Sequence, residues 1–167
     1  MSKSVRSIRI EKIKSGKFRK RVYRIIARYY GQVPLSLEGS LIYGGRYNIP
    51  YQFGALYCGI TDEVCWAEIE KRTEGPVKRS RFRVYQLWIY LQKVLDLTDP
   101  QVCTELKIDP ESLIHQNQYV LTRQIAKEAR EAGFEAIIAP SATGTGVILA
   151  IFSDRLDPRS KVEIVNP

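Results

Sequence analysis

Three features of this 167-residue chain predict a mixed α+β domain. Short β-branched apolar runs recur from the first third to the C-terminus. Helical signals fall between them, with a capped start at Thr61 and an apolar repeat through 119–132. Strands outnumber helices and are mixed among them, which favours a sheet with segregated helices.

Val22–Arg28 (VYRIIAR) is apolar and β-branched and reads as the first strand. Residues 29–54 carry five glycines and two prolines with little periodicity and read as a long loop. Ala55–Gly59 is a short strand. Thr61 can cap the following helix, with Asp62 and Glu63 placing negative charge in its first turn. Arg81–Leu97 suits a bent strand or two strands, and 99–116 suggests short helical turns opened by Asp-Pro pairs. In 119–132, Leu121, Ile125, Ala129 and Ala132 repeat at helical spacing, and Gly133 ends the helix. Phe134–Ala139 and Val147–Phe152 are apolar strands joined by PSATGTG, and Val162–Val165 is a last short strand.

With 44% hydrophobic and 26% charged residues, the chain reads as an ordinary globule able to bury a core. No apolar run approaches the ~18 residues that span a bilayer. The odd cysteine count (Cys58, Cys65, Cys103) without a secretory signal argues for free thiols in a reducing compartment, hence a cytoplasmic protein. His115 is the single histidine and has no partner for a metal site, so no metal is expected.

The net charge of +8 is confined to one end. Residues 1–21 hold nine basic residues and one acid, leaving 17 of each sign in 22–167. The chain therefore divides into a basic extension, 1–21, and one neutral domain, 22–167. The extension is read as solvated and partly disordered, and it also has the composition of a transit peptide. By charge the neutral body is no polyanion binder, whereas the extension could hold nucleic acid or an acidic partner.

Five residues carry candidate chemistry. Glu68 falls between Val64 and Cys65 on the helical wheel, whereas Glu70 lies beside Glu63 on the polar side. Glu68 therefore points into a partly apolar sector. Arg46 follows two glycines, which allow close backbone approach while the guanidinium offers a bidentate fork for phosphate. This Gly-Gly-Arg belongs to neither a Walker nor a dinucleotide-binding pattern. Arg24 lies inside the first strand and faces either solvent or a polar pocket. Tyr57 ends a strand beside Gly59 and either packs in the core or stacks on a flat ring. Ser141, before a glycine-rich turn, could cap that turn or bond a ligand, and has no evident base.

Together VYRI (22–25), GGRYN (44–48), ALYCGITDEVCWAEI (55–69) and IAPSATGTG (138–146) resemble the RES domain, the toxin of a class of bacterial toxin–antitoxin pairs. The resemblance runs from about Val22 to the C-terminus. The family takes its name from an arginine, a glutamate and a serine, which match Arg46, Glu68 and Ser141, with Tyr57 and Arg24 as further pocket residues. Tyr47 stands where the family usually has tryptophan. The resemblance implies an ADP-ribosyltransferase-like split β core with flanking helices around an NAD cleft. It implies an enzyme that takes NAD as substrate and needs no cofactor, breaking the nicotinamide–ribose bond with water or phosphate as acceptor. The implied partner is an Xre-like antitoxin that blocks the cleft and itself carries the DNA contact. A homo-oligomer is compatible with this reading. Two alternatives stand beside it. One is a protein ADP-ribosyltransferase using Glu68-x-Glu70, which the helix phase disfavours. The other is a non-enzymatic module binding through its basic end.

Overall fold

The computed structural model describes residues 10–30, 33–116 and 118–166. Six strands, β1 (Gly16–Ala27), β2 (Leu56–Gly59), β3 (Phe82–Asp96), β4 (Ala136–Pro140), β5 (Val147–Ile151) and β6 (Lys161–Ile164), form the sheet. Helices α1 (Glu38–Tyr43), α2 (Asp62–Arg72), α3 (Pro100–Leu106) and α4 (Val120–Glu131) flank it, and residues 10–12 are helical as well. The expected mixed α+β architecture is what the chain adopts.

The strand order is β1-β2-β5-β4-β3-β6, and β1 also pairs with β3, so the pairing closes into a ring with β6 on its flank. Length makes this possible. The 15 residues of β3 pair with β1 from Phe82 to Val94, while the other edge takes β6 along Leu87–Tyr90 and β4 along Val94–Asp96. Among the described residues β3–β4 is the parallel pair, and the other pairs are antiparallel.

Alternation along each strand divides the core. Leu56 and Cys58 of β2, Ala136 of β4, and Leu149 and Ile151 of β5 pack with Val22 and Leu87 in one cluster. The intervening Ala55, Ile137, Ala139 and Ala150 join a second cluster beneath the helices. There α4 buries Ile125, Ala126 and Ala129 completely, the face its periodicity predicted. Gly133, at φ +86°, ends that segment in a backbone region that side chains disfavour. Asp99 and Asp109 cap their Pro-initiated turns by accepting from the backbone N–H two residues on.

Two expectations need correction. The first strand begins at Gly16, not Val22, so Lys17, Arg19, Lys20 and Arg21 are strand residues. Pairing with β3 along nearly its whole length supplies the backbone partners that order this polar stretch. Residues 29–54 are not a continuous loop, since they contain a 3-10 turn at Arg28–Tyr30 and helix α1.

Candidate active site

One wall of the site is built on α2. Thr61 Oγ1 accepts the Val64 N–H at 3.3 Å, the predicted cap, and the register it sets turns Glu68 toward the loop after β4. That loop begins with Ser141, 1% exposed, whose N–H donates to Gly146 O at 2.9 Å. Ser141 Oγ donates to Glu68 Oε1 at 2.5 Å, lies 2.7 Å from Thr143 Oγ1, and accepts the Thr143 N–H at 3.2 Å. One turn beyond Glu68, Lys71 Nζ donates to Ala142 O. Adjacent loop residues are thus held by side chains three apart on one helix face. The Glu70 carboxylate has no hydrogen-bond or ion-pair partner among the described residues, in keeping with the helix phase.

The other wall is the Gly44–Asn48 loop. Tyr57 Oη accepts the Tyr47 N–H at 3.0 Å and donates to Asn48 Oδ1 at 2.8 Å. Asn48, fully buried, spends its amide on Ser40 O (2.7 Å) and Phe53 O (3.0 Å). Arg123 Nε donates to Gly45 O at 2.9 Å. A Cβ on Gly45 would lie 2.4 Å from Tyr57 Oη, so the backbone approach anticipated for a ligand is made to the protein's own phenol. Burial pushes the Tyr57 hydroxyl above the ordinary phenol range, which suits a fixed donor.

This frame presents Arg46. Its guanidinium donates to His115 O at 2.8 Å and lies 4.6 Å from the Tyr119 ring centroid. It makes no ion pair with Glu68. Arg24 is turned to the backbone rather than left to solvent: Nε donates to Pro34 O (2.8 Å) and Nη1 to Tyr57 O (3.0 Å). No carboxylate pairs with it among the described residues, and burial lowers its pKa. Among the described residues, then, this half-buried cation is satisfied by carbonyls and not by an acid.

The structure therefore joins Glu68 to Ser141 directly, and Arg24 to Arg46 through Tyr57 and the Gly44–Asn48 loop. Sequence reasoning missed Asn48, Arg123, Thr143 and Lys71. Only Lys71 left a signal, its position one turn after Glu68. Burial pushes the Cys58 thiol up to about 12 and the Cys65 thiol to about 11, so both are inert at neutral pH. Among the described residues no group of three or more His, Cys, Asp or Glu is placed to hold a metal. A cavity of about 180 Å³ beside Val64 and Gly146 backs the serine loop, and another of about 330 Å³ lies near Glu135 and Arg155. Arg46, Glu68 and Ser141 line neither.

The class of protein so defined is an α+β sheet domain that carries a carboxylate–hydroxyl pair, Glu68 and Ser141, and a half-buried arginine, Arg24, bonded to backbone carbonyls. More particularly, the RES domain model matches residues 21–166, and the chain belongs to the RES family. It is 24% identical over 130 residues to the NAD(+) phosphorylase MbcT of Mycobacterium tuberculosis, covering 74% of this chain and 69% of that protein. It is 35% identical over 113 residues to the probable NAD(+) phosphorylase Rv3189 of the same organism, covering 65% of this chain and 53% of that protein. The fold matches a chain in the crystal structure of the M. tuberculosis MbcT–MbcA toxin–antitoxin complex with a TM-score of 0.78. That match has 20% identity and covers 96% of this chain and 90% of the other.

Proposed function

We propose that this protein is an NAD-consuming toxin that breaks the nicotinamide–ribose bond and passes the ADP-ribosyl group to phosphate or water. The observation that carries this reading is the 2.5 Å contact between Ser141 Oγ and Glu68 Oε1, in a family whose relatives include NAD(+) phosphorylases.

The chemistry follows from the residue types. The bond between ribose C1 and the ring nitrogen breaks, its electron pair leaves with neutral nicotinamide, and the ribose takes on oxocarbenium character. Phosphate then adds at C1 to give ADP-ribose 1-phosphate, or water adds with loss of a proton to give ADP-ribose. A fixed carboxylate stabilises the developing cation, as in glycoside hydrolysis. Glu68 fills that role, and Ser141 holds its orientation or that of a ribose hydroxyl rather than acting as a nucleophile. Arg24 and Arg46 take the pyrophosphate, Arg24 as the half-buried cation bonded to carbonyls and Arg46 as the arm swung from the loop. Tyr57 shapes the pocket through its hydroxyl. On this reading the ring of strands is the split β core of the ADP-ribosyltransferase type.

The same reading assigns an Xre-like antitoxin as partner, seated over the site. Its support is the toxin–antitoxin neighbour together with Leu41, Ile42, Tyr43 and Tyr51, apolar side chains exposed on either side of the Arg46 loop. No helix of the described residues is long and apolar enough to cross a membrane, which suits a cytoplasmic toxin.

The test is nicotinamide release from NAD by the purified chain, with and without phosphate, alongside Glu68→Ala and Glu70→Ala. Release by wild type and Glu70→Ala but not Glu68→Ala is expected. A folded wild type that releases none, with phosphate and cell extract supplied, ends the proposal. Release abolished by Glu70→Ala as well would favour protein ADP-ribosylation.

A further inference from the structure

A second surface stands apart from the site. Register places Arg21, Trp88 and Glu163 in one row across β1, β3 and β6, and Arg19, Tyr90 and Lys161 in the next. These rows share the outer face, because Ile89 between them and Leu87 just before them are fully buried on the other side. Arg19, Arg21 and Lys161 are exposed, while Trp88 and Tyr90 are partly exposed. The Arg19 guanidinium lies 5.8 Å from the Trp88 ring centroid and 5.9 Å from that of Tyr90, so it sits between two rings without closing on either. Lys17 and Arg159 add to the positive field at Tyr90. Among the described residues the nearby acids are Glu163, the buried Glu135, and Asp157, whose charge Arg159 offsets at 2.9 Å.

We infer that this three-stranded face binds single-stranded nucleic acid. Charge alone would serve any polyanion, but the rings interleaved with guanidinium groups narrow the choice. Base faces stack on aromatic rings and on arginine planes, whereas acidic peptides have no such group to offer. A duplex hides its base faces, and this face presents no helix to enter a groove. The sequence adds Lys3, Arg6 and Arg9 just upstream of the strand that carries Arg19 and Arg21. The inference is independent of NAD cleavage.

The test is fluorescence anisotropy of the full chain with labelled 12-mers of oligo(U) and oligo(dT), a 12-base-pair duplex, and poly-glutamate. Single strands bind most tightly, and contact with three or four phosphates makes affinity fall about 20- to 50-fold between 50 and 200 mM salt. Arg19→Glu with Arg21→Glu removes most of the affinity, and Trp88→Ala or Tyr90→Leu weakens it about fivefold or more. Nicotinamide release stays unchanged in all of them. Thermal melts identify any variant that has unfolded, and the second ring variant then decides. Three results would overturn the inference: no binding of single strands; equal binding of poly-glutamate with no effect of either ring variant; or binding lost on deleting residues 1–9 yet untouched by Arg19 and Arg21.

Discussion

The two walls of the candidate site are held in different ways. The arginine wall is fixed mainly by backbone and neutral groups, with Arg123 on Gly45 O: Gly45 is seated on Tyr57, and Asn48 has both amide N–H groups and its Oδ1 bonded inside the fold. The glutamate–serine wall is fixed by groups that also do the proposed chemistry, Glu68 and Ser141, with Lys71 as a tether and Gly146 packed on Val64. In the first, position and stability are inseparable. In the second, reactivity can be removed while the fold stays intact.

The largest expected effect breaks the second wall without breaking the fold. Glu68→Gln keeps an acceptor for Ser141 Oγ and removes the charge proposed to face the ribose. Nicotinamide release should fall about 10²–10³-fold, while stability moves by no more than about 0.5 kcal/mol. A matching fall in the denaturation midpoint would show that Glu68 is structural, and the contrast between the walls would fail.

Next comes the first wall. Gly45→Ala forces a Cβ to 2.4 Å from Tyr57 Oη, 2.7 Å from its Cζ and 2.9 Å from Asn48 Oδ1. It should cost about 1–3 kcal/mol in urea unfolding and lower release as well, because Arg46 moves with the loop. Adding Tyr57→Phe should not rescue it. The ring carbon still clashes, and the Tyr47 N–H and Asn48 Oδ1 lose their partner. Gly146→Ala sharpens the comparison from the other side. Its Cβ would meet Val64 Cγ2 at 2.2 Å, an apolar group that can be trimmed. Val64→Ala should recover most of the lost stability, leaving about 1–2 kcal/mol for φ at +83°. Rescue at both glycines, or at neither, would remove the distinction.

These walls were also unequally legible. Glu68 could be picked over Glu70 because a helix fixes side-chain phase locally, and Thr61 announced where that helix starts. The Arg46 frame could not be read. Asn48 looks like any turn asparagine until Tyr57 is brought to it by the fold, and His115 O reaches Arg46 across 69 residues. Helix α1 buries no residue, so it left no apolar stripe to detect. The early start of β1 was hidden for a related reason. Only Phe18 and Val22 of its Gly16–Val22 stretch are buried, and the exposed basic residues between them imitate a solvated tail.

The smallest expected effect lies beneath the arginine wall. Tyr47 is fully buried, its hydroxyl has no hydrogen-bond partner among the described residues, and burial holds its pKa above the ordinary phenol range. Its backbone N–H, by contrast, is bonded to Tyr57 Oη. Tyr47→Phe removes the unpaired oxygen and leaves both the ring packing and the backbone bond in place. An unsatisfied buried hydroxyl costs on the order of 1–3 kcal/mol, so the variant should be more stable by about 1 kcal/mol at unchanged release. A loss of stability would mean that a bound water pairs the hydroxyl. The arginine wall would then rest partly on solvent, and its contrast with the glutamate–serine wall would narrow.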